Sequence, residues 1–299
     1  MSCRSRRRRR HELDHAGAVV DRRLAPRRKA RFAAAGRSAR WLALVLLIVQ
    51  RDLGTASILI LLYFTIIYMA AGKRRIMIFG AALIAAAAVG GYFRFGVIKV
   101  RIDAWLNPWL DSSGRSYQIV QSLLAVAAGG LGGTGVGMGS PGIVPVVSSD
   151  FIFAAISEES GILGALALIV LFSFIAGRGL LNALRAPNTY QRLLAAGLVV
   201  YLVFQGMLII GGNLRVFPLT GVTLPFVSYG GSSLVTSFIS LALLVRISSQ
   251  GEEEPAPLPN TRPILLTGAG LLSGLLLMAL ASGYWAIIRG EDLLQRADN

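Results

Sequence analysis

The sequence predicts an all-α, polytopic membrane helical bundle of about seven spans with a long extracytoplasmic loop. Three observations predict it. The chain is 54% hydrophobic and only 15% charged over 299 residues, whereas soluble domains carry about 25% charged residues. Apolar runs of roughly 20 residues, the length that crosses a bilayer core, recur along it. Its basic residues gather in the short gaps between those runs, as in cytoplasmic loops.

The first run, 33–50, ends WLALVLLIVQ and contains Arg37 and Arg40 near its start. The others are 53–72, 76–97, 151–176, 191–212, 230–248 and 264–288. Lys73, Arg74 and Arg75 form one basic cluster, Arg178, Arg185 and Arg192 a second, and Arg246 with Arg262 flanks a third gap. With a cytoplasmic N-terminus, alternation puts all three clusters inside. It leaves 98–150, 213–229 and the C-terminus outside, in a multi-pass membrane protein.

Net charge is +15. Residues 1–40 hold 14 Lys or Arg against Glu12, Asp14 and Asp21, so this tail carries most of it. A basic tail ahead of a span is drawn to anionic lipid, and membrane lipid rather than nucleic acid is the expected partner of Arg6–Arg10. Cys3 is the only cysteine, which excludes an internal disulfide framework. His11 and His15 stand four apart without a nearby third ligand, a poor metal site. No short apolar region followed by a small-residue cleavage site marks a signal peptide.

The outer segment 98–150 is long for a helix connection, and such loops are usually functional. It opens KVRIDAWLNPWLDSSGRSYQ, with Trp105 and Trp109 suited to a membrane interface. YQIVQSLLAVAAGGL (117–131) is apolar but too short to span, so a re-entrant or surface-lying helix is expected. GGLGGTGVGMGSPG follows. Gly130, Gly132 and Gly135 satisfy GxGxxG, yet no strand precedes them and no GK[ST] follows, which rejects nucleotide binding. A mobile loop, or close backbone approach to a bulky ligand, is expected instead.

Three acids come next, in VVSSDFIFAAISEESG (146–161). Asp150 stands where a side chain caps a helix beginning at Phe151. It also stands where an outward carboxylate acts as a base on a membrane-held substrate; the two roles are compatible. Glu158 and Glu159 lie roughly 12 Å deeper along a helix. Acids at that depth face the bundle interior. A structural network with backbone or Arg partners is one reading of them, a proton or ion pathway the other. NLRVFPLTGVTLPFVSYGGSS (213–233) is broken by Pro218, Pro225 and Gly230-Gly231. Irregular backbone at membrane depth lines a cavity or is buried in protein, so this segment either walls a groove opposite the Asp150 loop or forms a plain kinked hairpin.

Four stretches carry a resemblance: QRDLGTA (50–56), LNPWLDSSGRSYQIVQSLLAVAAGG (106–130), SSDFIFAAISEESGILGA (148–165) and PLTGVTLPFVSYGGSSL (218–234). Collinear from about 41 to 248, they resemble the SEDS proteins, the FtsW/RodA group of shape, elongation, division and sporulation. The resemblance implies a peptidoglycan glycosyltransferase that polymerises lipid II outside the cytoplasmic membrane, in division or shape maintenance, commonly beside a class B penicillin-binding protein. It puts the family's essential outer-loop aspartate on Asp150, as base. Lys99, Arg101, Arg115 and Arg215 are the implied partners of the leaving pyrophosphate, Arg101 the best placed. Gln121, Ser228, Tyr229 and Gly230 complete the implied substrate site. No cofactor is implied; a divalent cation is left open.

Two departures accompany it. Members usually have ten spans, so this chain is expected to hold the last six, with the tail 1–40 a misplaced start. Many carry a glutamate in an LPE-like stretch ahead of the aspartate; IVPVV keeps Pro145 but has Val146. Beyond the linker 249–263, which contains EEEPAPLPN, residues 264–299 resemble the membrane anchor of a class B penicillin-binding protein, implying a fusion in the natural gene. A lipid flippase and a non-catalytic scaffold of the division or elongation machinery are the alternatives to an enzyme.

Overall fold

A computed structural model describes residues 53–140, 147–249 and 261–297. The chain divides into two units, Met1–Leu53 and Gly54–Asn299, and the second builds the helical bundle. The expected first span at 33–50, the tail 1–40, Pro145, Val146 and most of the linker lie outside the described residues.

Every regular element among the described residues is helical. In chain order they are α1 (Leu53–Ala71), α2 (Arg74–Arg94), α3 (Gly96–Leu106), a 3₁₀ turn (Pro108–Asp111), α4 (Tyr117–Gly129), α5 (Ile152–Arg185), α6 (Thr189–Asn213), α7 (Gly231–Ser249), α8 (Arg262–Gly283) and α9 (Gly290–Ala297). Helix α8 runs on into a π turn, Tyr284–Ile288. Six of these helices, α1, α2, α5, α6, α7 and α8, are long and apolar enough to cross a membrane. With the seventh expected span undescribed, the protein is a polytopic helical bundle.

The boundaries differ from expectation where local chemistry overrides hydropathy. Helix α2 stops at Arg94 rather than 97, because Phe95 turns extended and starts α3. Helix α5 runs to Arg185, nine residues past the expected 176. At 34 residues it is roughly 51 Å long, beyond a hydrocarbon core of about 30 Å. Arg178 and Arg185 therefore ride on the protruding end of α5, not in a loop. The connection to α6 is only 186–188, and Asn188 caps α6 by accepting from the Gln191 N–H at 2.8 Å. Arg192 is buried in the first turn of α6 and donates to the Ala186 carbonyl at 3.3 Å.

Helix α6 is the axis of the bundle. Its apolar stretch is 72% buried, against 28% or less for the other five spans, which face outward along most of their length. Leu202, Ile209 and Ile210 of α6 are sealed against Phe172 of α5 and Met278 of α8 in one core. Lipid tails are as apolar as leucine, so such packing holds by shape and dispersion rather than by exclusion of water. A second, small core holds Ala104 of α3, Ile119, Leu123 and Ala127 of α4, and Leu293 of α9. The short helix 117–129 is thus buried in protein, and the amphipathic α9 covers it.

Candidate functional site

The Asp150 turn precedes α5, and the segment 214–230 between α6 and α7 lies against it. Three successive carbonyls of the turn are held from that side. The Tyr229 N–H donates to Ser148 O at 2.9 Å. The Ser228 hydroxyl donates to Ser149 O at 2.6 Å. The Asn213 side-chain amide donates to Asp150 O at 2.8 Å. Ser228 in turn accepts from the Leu224 N–H at 2.8 Å, so the buried hydroxyl ties both segments. The segment 213–233 is thus tied to the Asp150 turn rather than standing as a separate hairpin.

Asp150 does not cap α5. The residue before the helix, Phe151, makes no side-chain cap bond, and the first free N–H to find a side chain is that of Ala154, which donates to Asn213 Oδ1 at 3.2 Å. Asn213 also donates to Ile209 O at 3.0 Å and is completely buried. A side chain from a neighbouring helix thus takes over the cap and pins the Asp150 backbone at once. Sequence reading missed Asn213, because a lone Asn at a helix end looks like an ordinary terminus. With its backbone held, Asp150 keeps its carboxylate clear of backbone donors among the described residues; one oxygen accepts from Ser149 Oγ at 3.0 Å.

The other oxygen faces Gly221. A Cβ placed there would lie 3.6 Å from Asp150 Oδ2 and 3.6 Å from Arg101 Nη2. Carboxylate and guanidinium thus flank one glycine, and no ion pair closes between them among the described residues. Arg101 reaches this place because its Nη1 donates to the Thr220 carbonyl at 3.1 Å, anchoring α3 to the segment. Lys99, two residues earlier on α3, points elsewhere, about 200° around the helix. Its ammonium sits 5.8 Å over the Tyr92 ring in the exposed layer.

The remaining expected residues divide. Arg215 has its Nε on the Trp105 carbonyl at 2.8 Å and its Nη2 on the Leu106 carbonyl, while Trp105 Nε1 returns a bond to Arg215 O at 3.1 Å. Burial lowers its pKa from the ordinary value, with Tyr284 opposing. It is a tie between α3 and the 214–230 segment, in a left-handed backbone (φ 57°) that those bonds hold. Arg115 is exposed and Gln121 half-buried, and neither is brought to Gly221. Tyr229 contributes its N–H, with its side chain 82% exposed. Gly230 lines a groove that also includes Gly221.

The deeper acids and the glycines explain each other. Helix α5 is broken at Gly161 (φ 63°, ψ −163°). In an unbroken helix the Ile162 N–H would bond the Glu158 carbonyl. Here Ile162 N–H goes to Gly130 O at 3.0 Å, and Glu158 O accepts instead from Thr134 N–H at 2.9 Å. The next carbonyl, Glu159 O, accepts from Gly135 N–H at 3.0 Å. The Glu158 carboxylate, 8% exposed, accepts from Ser140 N–H at 2.8 Å. The glycine loop is laced into the broken ladder of α5, which satisfies the groups the kink releases. Close approach does require glycine, but the approach is to protein backbone: a Cβ on Gly161 would meet Leu131 O at 2.6 Å. The partner of Glu158 is backbone rather than arginine. Among the described residues no three His, Cys, Asp or Glu side chains come together to hold a metal ion.

The chain is similar to known proteins in sequence and in fold. A family model described as "Cell cycle protein", FTSW_RODA_SPOVE, matches residues 17–253. The chain belongs to the FtsW/RodA/SpoVE family. Within it, the peptidoglycan glycosyltransferase RodA of Mycobacterium tuberculosis is 39% identical over 227 residues, 76% of this chain and 48% of that one. Stage V sporulation protein E of Bacillus subtilis is 36% identical over 208 residues, 69% of this chain and 57% of its own. A solved chain from work on "structural coordination of polymerization and crosslinking by a peptidoglycan synthase complex" superposes with a TM-score of 0.57 at 28% identity, over 70% of this chain and 59% of that one. The chain spans about half the length of the first of these relatives.

Proposed function

We propose that the chain carries the catalytic half of a peptidoglycan glycosyltransferase that extends glycan from lipid II at the outer face of the inner membrane. The observation that carries this reading is the pinned turn: its carbonyls are held while the Asp150 carboxylate, beside Arg101, stays available at Gly221. In the proposed step Asp150 takes the proton from the acceptor sugar's 4-hydroxyl. The freed oxygen bonds the donor's anomeric carbon, and the bond from that carbon to the lipid pyrophosphate breaks. Arg101 meets the charge that develops on the leaving oxygen. Chain residues alone supply this proton transfer, and no cofactor is invoked. Relatives named peptidoglycan glycosyltransferase support the reaction class.

The same proposal takes 41–248 as the polymerase domain, 249–263 as a linker and 264–299 as an anchor of the kind that carries a class B penicillin-binding protein. The N-terminus is then cytoplasmic and the C-terminus external.

The test is polymerisation by the purified chain in lipid nanodiscs supplied with labelled lipid II. Wild type is expected to make polymer, and Asp150→Asn to lose at least about 100-fold in rate, the usual worth of a positioned base. Equal polymer from both removes Asp150 from the chemistry. Lipid transfer between leaflets without polymer would assign the groove to translocation.

A further inference from the structure

An open groove of about 320 Å³ runs between α1, α6 and α7. Its lining starts at Gly221, the glycine that Asp150 and Arg101 flank, and includes Gln205, Thr223, Ser233 and Thr236. Ile58 and Leu59 form an apolar side. Among the described residues no Asp, Glu, Lys, Arg or His lines it, so the groove suits a neutral polar group rather than a phosphate or a carboxylate.

Its hydrogen bonds have a direction. Gln205 is 5% exposed, and its Nε2 donates to Thr223 O at 2.8 Å and to Thr223 Oγ1 at 3.4 Å. Both amide hydrogens go to one residue, which sets the orientation of the side chain: reversed, its oxygen would face a carbonyl. Thr223 Oγ1, receiving from Gln205, passes its own hydrogen to Ser233 Oγ at 2.6 Å. Two capacities are left at the end of this relay. Gln205 Oε1 is buried and has no partner among the described residues. The Ser233 hydroxyl, already accepting, has its hydrogen to give. Leaving a buried acceptor unmatched is costly, and its retention calls for a reason.

A fixed acceptor and a fixed donor, linked through Thr223, complement a secondary amide, which offers N–H and C=O on separate atoms. A hydroxyl offers both roles at one atom only. We propose that Gln205 and Ser233 form a subsite for the 2-acetamido group of the acceptor sugar, with Gln205 Oε1 taking its N–H and Ser233 Oγ donating to its carbonyl. With the sugar's 4-hydroxyl at Asp150, its C2 substituent, separated from C4 by one ring carbon, is directed past Gly221 into the groove. The subsite thereby selects N-acetylated amino sugars over plain hexoses. This inference rests on the glycosyltransferase reading above.

The test is equilibrium binding to the full chain in nanodiscs of two fluorescent probes: lipid II, and an analogue whose terminal sugar is glucose. Wild type is expected to prefer lipid II by about tenfold or more, the scale of a site built to pair a polar group that the analogue lacks. Gln205→Leu and Ser233→Ala should each reduce the preference to about twofold, leaving affinity for the glucose probe unchanged. Ser233, half-buried on the first turn of α7, keeps the test decisive should Gln205→Leu not fold. A preference that survives both substitutions overturns the subsite, as does wild type binding both probes equally. Neither probe binding wild type overturns the subsite and the glycosyltransferase reading together.

Discussion

Asn213 and Asp150 divide one task between them. The proposed base has its backbone fixed by one residue and its side chain left clear of backbone donors, because Asn213 does the capping. Asn213 takes the cap at Ala154 and the carbonyl of Asp150 and is itself sealed from solvent. Replacing it by leucine leaves those groups without partners in a place water does not reach. Asn213→Leu is expected to destabilise the protein by about 2–6 kcal/mol, at about 1–3 kcal/mol for each of the two stranded groups. Thermal unfolding followed by fluorescence-detected size exclusion measures this, and an unchanged midpoint would count against Asn213 as the organising residue. Asp150→Asn, by contrast, should leave the midpoint unchanged while abolishing polymer.

The glycine loop and α5 are one element in two pieces of chain. Ile162 N–H, Glu158 O and Glu159 O, at the break around Gly161, are matched by loop groups, so loop and kink stabilise each other. Gly161→Ala must place a Cβ against Leu131 O in a backbone region that only glycine populates freely. A loss of at least about 2 kcal/mol is expected, with the loop displaced from Glu158. Gly177→Ala on the same helix meets nothing within 4 Å among the described residues. It should be neutral or stabilise by about 0.5–1 kcal/mol, the helix-interior difference between alanine and glycine. Limited proteolysis within 133–140 reads the pair: faster cleavage in Gly161→Ala alone supports the lacing, and equal cleavage in both variants refutes it.

At the scale of the whole molecule, α6 is enclosed and the other spans turn apolar side chains outward. Ile78, Phe79 and Phe93 on α2 and Val235, Phe238 and Val245 on α7 are all more than half exposed, which hydrocarbon tolerates and water would not. The proposed orientation has a direct check. In a Cys3→Ser background, Ser149→Cys should react with a membrane-impermeant maleimide in intact cells. Arg178→Cys should react only after permeabilisation. The reverse pattern puts the carboxylate on the cytosolic side, where no external acceptor chain reaches it, and ends the polymerase reading.

The sequence by itself determined the helical class and six of the expected spans, those that fall among the described residues. Each is written in hydropathy, charge and spacing over neighbouring residues. It also carried the family, since PLTGVTLPFVSYGGSSL and DFIFAAISEESG keep their order and spacing. The tertiary structure decided which side chains share work. Asn213 caps a helix that begins 61 positions earlier in the chain, Arg215 binds carbonyls of Trp105 and Leu106, and glycines expected to admit a ligand admit the backbone of α5. Those pairings join residues up to 110 positions apart. A hydrogen bond depends on where two atoms end up in space, and local pattern holds no record of that until the helices have packed.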